Sequence, residues 1–446
     1  MVDYHLVVLV HGLWGNPEHM KYLRSQIEAQ ANDKEQIYCY VTGSHSGFLT
    51  YDGIDVNGKR ISDEILAVTK ELSYEKDKVV KFSMVGYSLG GLISRYAVGY
   101  LHSQGYFEEI IPLNFTTFCT PHVGALNPGT SWGNKIFNFC VPYILAQTGT
   151  QMFLADGSKD RLPLLVWMSD SRSAFFKGLS SFKNKNLYAN IINDKRTPYF
   201  TASISLQDPF KSMVNENASA YSLEFIEGYE PNVIDITKPI EFQSQEPQTT
   251  LERGRKSVGR KLNWFKIITK AILFTPVWFL WILGNSILQI IRNRKRVGEF
   301  LKANDISYLH HEQDAPVHNL ESDISNNFKD TTDSFVESIF DAMNSDSYKN
   351  YHSYRTKASP SASTESLDSK LSLVNLKGQI EDFNLALVNL QKVVINNLNS
   401  LKWNKFPVLI RNTKQTHRAA IVRMPDPKFD EGKVVVRHFM NEVFEF

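Results

Sequence analysis

A serine between two glycines is the clearest chemical pattern in this sequence. The motif Gly86-Tyr87-Ser88-Leu89-Gly90-Gly91 follows an apolar run at 79–85 and precedes a helical pattern at 89–100. Gly86 and Gly90 allow a sharp turn from strand to helix, which exposes the Ser88 hydroxyl at the end of the strand. The helix N-terminus favours negative charge that develops there. The motif predicts a nucleophile elbow, and a glycine-rich turn without catalytic function is the alternative.

A serine nucleophile needs a histidine as general base and a carboxylate that fixes the tautomer of that histidine. After such an elbow, the chain order is serine, acid, histidine. We predict Asp194 as the acid because it follows the apolar run 187–192, where a parallel sheet presents side chains at its active edge. A simple turn residue is the alternative for Asp194. Four other aspartates follow no equally clear strand: Asp156, Asp160, Asp170 and Asp208.

Two histidines lie late enough in the chain to be the base. His417 follows the apolar run 406–410 by a short polar loop, and the small residues at 419–420 would let its ring approach the serine. His438 lies in a basic and aromatic stretch, where a packing or surface role fits better. We therefore favour His417 as the base.

An oxyanion hole in this type of site uses the backbone N–H after the nucleophile and a second N–H after the first strand. Leu89 follows the nucleophile directly. The turn His11-Gly12-Leu13-Trp14-Gly15 follows the first apolar run, so we predict Leu13 as the second donor. His11 is interpreted as a residue that shapes this turn, with a hydrogen-bonded core side chain as the alternative.

These residues require a scaffold that brings distant segments to one edge, and the sequence alternates accordingly between strands and helices. Helical patterns occur at 18–31, 61–72 and 89–100, and a long amphipathic helix is predicted at 371–401. The predicted strands are 5–10, 37–41, 79–85, 113–118, 187–192 and 406–410. The alternation predicts an α/β fold with a mostly parallel central sheet flanked by helices. Residues 125–182 are expected to form a cap or an active-site wall.

Several motifs occur together: His11-Gly12-Leu13-Trp14-Gly15, Asp52-Gly53-Ile54 with Gly58-Lys59-Arg60, the elbow with Arg95-Tyr96, and Thr120-Pro121-His122-Val123-Gly124. Together they resemble the putative serine esterase/lipase family, which includes fungal lipid-droplet phospholipases. The resemblance covers roughly residues 1–205 and 375–446. It implies an α/β-hydrolase fold, the triad Ser88, Asp194 and His417, and glycerophospholipids or other acyl lipids as substrates.

The length of 446 residues exceeds what one core needs, so additional segments are expected. We divide the chain into a first part of the hydrolase core at 1–205 and an insertion at 206–301 with an apolar anchor at 262–296. A Ser/Asp/Asn-rich linker at 302–370 is predicted to be disordered. The last part of the core, with the base, follows at 371–446.

The anchor contains an uncharged run at 271–291 that is long enough to span a bilayer as a helix. A single crossing would separate Ser88 and Asp194 from His417. Basic residues flank the run on both sides, which favours a hairpin or an in-plane helix with both flanks in the cytoplasm. We expect a lipid droplet or the cytoplasmic face of the endoplasmic reticulum as location. A buried core helix or a hydrophobic lid is the alternative.

The composition indicates which partners and cofactors are not expected. A net charge of +2 gives no support for a nucleic-acid partner, and three well-separated cysteines fit neither a disulfide framework nor a metal site. No cofactor and no metal are expected. The leading hypothesis is a phospholipase that works through an acyl-enzyme at a lipid surface. An acylglycerol lipase of the same mechanism and a catalytically silent lipid-surface scaffold are the alternatives.

Overall fold

The computed structural model describes nine stretches of the chain. They are residues 2–30, 36–73, 77–129, 132–158, 161–210, 221–238, 241–242, 290–313 and 385–446.

Six strands within these residues form one parallel sheet. They are β1 (Asp3–Val10), β2 (Gln36–Val41), β3 (Lys78–Tyr87), β4 (Ile111–Phe118), β5 (Asn184–Asn190) and β8 (Asn404–Val408). Their spatial order is β2-β1-β3-β4-β5-β8, and every neighbouring pair is parallel. A separate antiparallel pair consists of β6 (Tyr221–Ser222) and β7 (Glu241–Phe242). The predicted parallel α/β fold is confirmed.

Helices connect the strands and cover the sheet. In the described residues they are α1 (Lys21–Gln30), α2 (Ile54–Leu72), α3 (Leu89–Ser103), α4 (Trp132–Ile144), α5 (Ala146–Met152), α6 (Leu164–Trp167), α7 (Ala174–Ser180), α8 (Tyr199–Ala202), α9 (290–303), α10 (Asn389–Asn399), α11 (Thr416–Ala419) and α12 (Asp430–His438). Short 3-10 helical turns are Pro17–Met20, Gly47–Tyr51, Ser307–Gln313 and Pro427–Phe429. A π-helical turn is Phe439–Val443.

Both faces of the sheet are buried, as expected for parallel strands. Successive β1 side chains alternate between two cores: Leu6 and Val8 pack with α2 and α3, whereas Val7 packs with α1 and α12 on the opposite face. The continuous apolar run of β1 therefore reflects two buried faces. A parallel sheet also places the carboxyl ends of its strands at one edge, where the site residues lie.

Two predicted helices have different bounds in the structure. Helix α2 begins at Ile54 instead of 61, because polar residues of its first turns are buried and bonded; the Asn57 amide donates to the Leu49 carbonyl at 2.9 Å. The predicted helix at 371–401 is confirmed at Asn389–Asn399, whereas residues 385–388 are not helical. Val388 has an extended backbone, and α10 begins only at Asn389. The apolar residues keep the same spacing in the extended segment before Asn389 and in the helix after it, so the spacing could not show where α10 begins.

Most of the predicted anchor at 262–296 lies outside the described residues. Its last part belongs to α9, which bonds to Asp52 just before helix α2. Asn293 donates to Asp52 Oδ1 at 2.7 Å, and Arg296 donates to the same atom at 2.6 Å. Arg60 donates to Asp52 Oδ2 at 2.9 Å. Across the stretches that the structure describes, we find no helix with the length and apolar character needed to span a membrane.

The Asp52 cluster generates a stability prediction. Asp52 is fully buried, so Asp52→Asn removes the charge that neutralises Arg60 and Arg296. Breaking a buried ion pair on one side is costly, and we expect the free energy of unfolding in urea to fall by about 3 kcal/mol. Glu28→Gln, in an exposed pair with Arg24, is the control and should cost less than about 0.5 kcal/mol. Equal effects of the two substitutions would contradict the prediction.

Candidate active site

Three polar side chains meet at the carboxyl edge of the sheet. Ser88 follows β3, Asp194 lies four residues beyond β5, and His417 lies on α11 after β8. His417 Nε2 lies 2.9 Å from Ser88 Oγ, and His417 Nδ1 lies 2.8 Å from Asp194 Oδ2. The structure thus brings together residues that are up to 329 positions apart in the chain.

The turn at Ser88 has the geometry of a nucleophile elbow. Ser88 has φ 56° and ψ −128°, a conformation that side-chain-bearing residues rarely adopt. A Cβ on Gly86 would lie 2.7 Å from the Gly91 nitrogen, and one on Gly90 would lie 2.5 Å from the His11 carbonyl oxygen. Both contacts are too short for a side chain. Glycine at 86 is therefore required for β3 and α3 to approach this closely, and glycine at 90 is required for α3 to approach the end of β1.

Asp194 is a buried carboxylate with several hydrogen-bond donors. The backbone N–H groups of Arg196 and Thr197 donate to Oδ1 at 3.1 and 2.9 Å, and the Asn190 amide donates to Oδ2 at 3.1 Å. Burial would raise the pKa of Asp194, but His417, Thr197 and Asn190 outweigh it and leave the pKa below its usual value. Asp194 is therefore ionised in the pH range in which an imidazole titrates, near pH 6.5.

His417 and its neighbour Thr416 are held by contacts from β3 and from the loop after β5. The Tyr87 hydroxyl donates to the His417 carbonyl at 3.0 Å, and the two rings lie 5.1 Å apart. The neighbouring Thr416 hydroxyl donates to the Ile192 carbonyl at 3.3 Å. His417 lies on the short helix α11. The helical turn fixes the ring between Ser88 and Asp194.

The loop after β1 lies directly beside the serine. A Cβ on Gly12 would lie 2.7 Å from Ser88 Cβ and 3.2 Å from Ser88 Oγ. Of the two predicted oxyanion donors, Leu89 directly follows Ser88 as the first residue of α3, and Leu13 directly follows Gly12 in this loop.

His11 supports the same loop from within the core. It is buried, contacts the Gly12 carbonyl and the Ser46 hydroxyl at 3.1 Å each, and stacks on His45. Burial lowers the pKa of His11 to about 4. A neutral, bonded core side chain agrees with its interpretation as a residue that shapes the turn.

Two polar residues near Asp194 were missed by the sequence reasoning. Asn190 ends β5, and its amide bonds both Asp194 and Cys119 Sγ, the latter at 3.3 Å. Cys119 directly follows β4 with φ 50°, and burial raises the pKa of its thiol. Their positions at carboxyl ends of strands could have identified them.

Cys119, Asp194 and His417 also offer ligand atoms within 4.8 Å of one another. The Asp194 and His417 atoms that would bind a metal already bond each other, because Nδ1 of the ring contacts Oδ2 of the carboxylate. A metal ion there would separate this pair.

The alternative acids and base have other partners. Asp156 accepts the Leu164 N–H, and its pKa is raised by burial to about 6. Asp170 pairs with Arg172. Asp208 accepts the Phe210 N–H, and His438 bonds the Tyr188 hydroxyl at 2.8 Å. Asp160 lies outside the described residues.

Comparison with known sequences shows which family residues 2–205 are similar to. Residues 2–205 match the family described as "Putative serine esterase (DUF676)". The resemblance inferred from the motifs is thereby confirmed, and the match contains both the elbow and Asp194.

Proteins similar to this chain occur in yeasts. The chain is 30% identical over 272 residues to the putative lipase C4A8.10 of Schizosaccharomyces pombe, covering 57% of this chain and 34% of the relative. It is 32% identical over 211 residues to the putative lipase ROG1 of Saccharomyces cerevisiae, covering 46% and 29%. The chain thus aligns with about a third of the length of these relatives.

Similar solved structures include bacterial hydrolases. The propeptide form of Bacillus licheniformis lipase BlEst2 has 14% identity and a TM-score of 0.29, with 42% of this chain and 36% of that chain covered. A lipase-esterase related protein from Clostridium acetobutylicum has 14% identity and a TM-score of 0.24, with 47% and 82% covered.

The contact between Gly12 and Ser88 generates a prediction about reactivity. Gly12→Ala would push its Cβ against Ser88, and displacement of a nucleophile by about 1 Å lowers reactivity about 100-fold. The measurement is the rate at which a fluorophosphonate labels Ser88. Gly43→Ala is the control, because the nearest atom to its new Cβ is Pro17 Cγ at 3.9 Å. An unchanged rate in Gly12→Ala would show that the loop does not position the serine.

Proposed function

We propose that this protein is a serine hydrolase that cleaves acyl esters of lipids, with glycerophospholipids as the principal substrates. The observation that carries the proposal is the continuous hydrogen-bonded series Ser88, His417 and Asp194, with distances of 2.9 and 2.8 Å. The match of residues 2–205 to an esterase family supports the same chemistry.

The first half-reaction forms an acyl-enzyme. His417 Nε2 accepts the proton of the Ser88 hydroxyl while Oγ attacks the ester carbonyl carbon. The negative charge that develops on the carbonyl oxygen is stabilised by the backbone N–H groups of Leu13 and Leu89. Asp194 holds the Nδ1–H of His417 and stabilises the imidazolium. The ester C–O bond then breaks, His417 returns the proton to the leaving alcohol, and the acyl group remains on Ser88.

The second half-reaction uses water as the nucleophile. His417 accepts a proton from a water molecule that attacks the acyl carbonyl carbon, and the same two N–H groups stabilise the oxyanion. The bond to Ser88 Oγ breaks, and Oγ takes back the proton from His417. A fatty acid leaves, so the products from a phospholipid are a lysophospholipid and a fatty acid.

A lipid substrate is supported by the relatives and by the composition of the chain. The yeast relatives carry the name putative lipase. The uncharged run 271–291 has basic residues on both sides, which suits an anchor in a single lipid leaflet. We propose that the protein works at a lipid droplet or at the cytoplasmic face of the endoplasmic reticulum, held there through residues 262–296.

The serine substitution tests the reaction and the substrate class together. Ser88→Ala should retain the fold but release no fatty acid from phosphatidylcholine vesicles or from triacylglycerol emulsions. The ratio of wild-type rates on these two substrates separates a phospholipase from an acylglycerol lipase. Release of fatty acid by purified Ser88→Ala protein would refute the proposed nucleophile. Complete inactivity of the wild type, with no fluorophosphonate labelling, would favour a silent scaffold.

Asp194→Asn provides the matched test of the acid in the same experiment. The amide keeps the size of the side chain but stabilises the wrong tautomer of His417, so kcat should fall by about 10⁴-fold. Labelling of Ser88 by the fluorophosphonate should slow in parallel. A loss smaller than about tenfold would assign the acid to another residue.

Location is tested by removing the anchor without disturbing α9. Replacing residues 262–289 with a Gly/Ser linker of equal length should release the protein from the membrane fraction of cells, because the apolar run is lost. The bonds from Asn293 and Arg296 to Asp52 are retained, so activity on a soluble short-chain ester should stay within about twofold of wild type. Undiminished membrane association would refute the anchor.

A further inference from the structure

Helix α4 exposes four large apolar side chains that the described residues leave uncovered. Its sequence, Trp132–Ile144, contains a single charged residue, Lys135. Pro142 alone is buried in this helix, whereas Trp132, Phe137, Tyr143 and Ile144 are 40% to 53% exposed. A surface helix of a globular protein normally buries its apolar stripe and exposes a polar face. An exposed apolar cluster of this kind marks an interaction surface.

A second group of exposed aromatic rings lies beside the catalytic serine. Trp14 and Phe48 are 45% and 59% exposed. The Trp14 indole donates to the Tyr51 hydroxyl at 2.7 Å, and Phe48 stacks on the Tyr51 ring. Trp14 is two residues beyond Gly12, which lies against Ser88. These rings therefore lie at the rim of the candidate active site.

Helix α5 connects the two groups. The Thr148 hydroxyl on α5 donates to the Thr50 carbonyl at 2.7 Å and accepts the Gly53 N–H at 2.9 Å. Helix α4 precedes α5 directly and packs on it, with the rings of Phe137 and Phe153 5.7 Å apart. The exposed residues of α4 and the rim at Trp14 and Phe48 thus belong to neighbouring elements. We call them together the rim surface.

The charges around the rim surface are mainly positive. Lys135 lies over the Trp132 ring at 5.1 Å, and exposed Arg196 lies over the Trp14 ring at 5.7 Å. Asp52, immediately after the turn that holds Phe48, binds α9 through Arg296. Helix α9 adds exposed Arg292, Arg294 and Lys295, the last within 4.0 Å of Glu299. Aromatic rings surrounded by arginine and lysine suit the headgroup zone of an anionic lipid layer.

We propose that the rim surface is a docking site for an anionic phospholipid surface, separate from the anchor at 262–296. The proposal rests on the proposed function, since docking at the rim would place Ser88 next to the lipid. It assigns two roles to different segments: the anchor retains the protein at the lipid, and α4 with Trp14 orients the site toward it. Charge complementarity and continuity with the site favour lipid over a second copy of this chain.

A local fluorescence probe tests the docking without interference from the anchor. An environment-sensitive fluorophore is attached to Tyr143→Cys in a Cys140→Ser background, and to Tyr38→Cys in the same background as the control. Tyr38 is also exposed but lies on the edge strand β2. Phosphatidylcholine vesicles containing phosphatidylserine should shift the emission of the first probe to the blue and leave the second unchanged. Bound protein with no shift at position 143 would overturn the proposal.

A matched pair of double variants measures the contribution to activity. Tyr143→Ser with Ile144→Ser removes two exposed side chains from the rim surface, and Tyr38→Ser with Ile111→Ser removes the same two residue types elsewhere. The rim variant should lose at least about tenfold in hydrolysis of the vesicles, with unchanged turnover of a soluble short-chain ester. The control should keep both rates. Equal loss on the soluble ester would assign α4 to the active site itself and overturn the docking role.

Three further outcomes separate this proposal from others. A blue shift at position 143 that appears with rising protein concentration and without vesicles would identify a second copy as the occupant and overturn the proposal. If Ser88 is inert toward every ester but the probe at 143 still shifts with anionic vesicles, the proposed function fails while the docking surface stands. A shift that is independent of phosphatidylserine would overturn the anionic specificity.

Discussion

The left-handed backbone at Ser88 is the constraint on which the other features of the site depend. With φ 56°, this residue stores strain of about 1–3 kcal/mol, which the surrounding contacts must offset. The Ser88 N–H donates to the Phe118 carbonyl at 2.9 Å, and the Thr120 hydroxyl donates to the Ser88 carbonyl at 3.0 Å. Both partners belong to β4 or its end. Because β3 lies beside β4 in the sheet, these bonds hold Ser88 in a conformation that an isolated turn would not keep.

The buried charge of Asp194 is a second constraint on the fold. A carboxylate without water needs donors on both oxygens, and these come from the loop after β5 and from His417. His417 can reach it because β8 pairs directly with β5, with Asn190 opposite Val408. A long chain segment separates β5 from β8. The register between these two strands nevertheless fixes the distance between Asp194 and His417. The electrostatics of the site therefore depend on the sheet order.

The features that could be predicted are those determined by short, continuous stretches of sequence. The elbow is contained in six consecutive residues, and the strands that flank the site are short apolar runs, so Ser88 and the parallel sheet could be inferred from the sequence. Asn190 and Cys119 were missed because their roles arise only when β4 and β5 lie side by side. The start of α10 was misplaced for a related reason. Apolar side chains before Asn389 pack on the core in a non-helical backbone, and spacing alone does not distinguish the two conformations.

The described segments before residue 243 and after residue 289 both contact the body that contains the candidate site. Before this range, Val233 pairs with Val408 of β8, and the Ile234 N–H donates to the Pro407 carbonyl at 3.0 Å. After it, Arg296 binds Asp52. Both flanks therefore contact one body that also contains Ser88 and His417. A folded body lies on one side of a membrane, so residues 221–238 and 290–313 lie on the same side as Ser88 and His417 wherever this body meets a lipid surface.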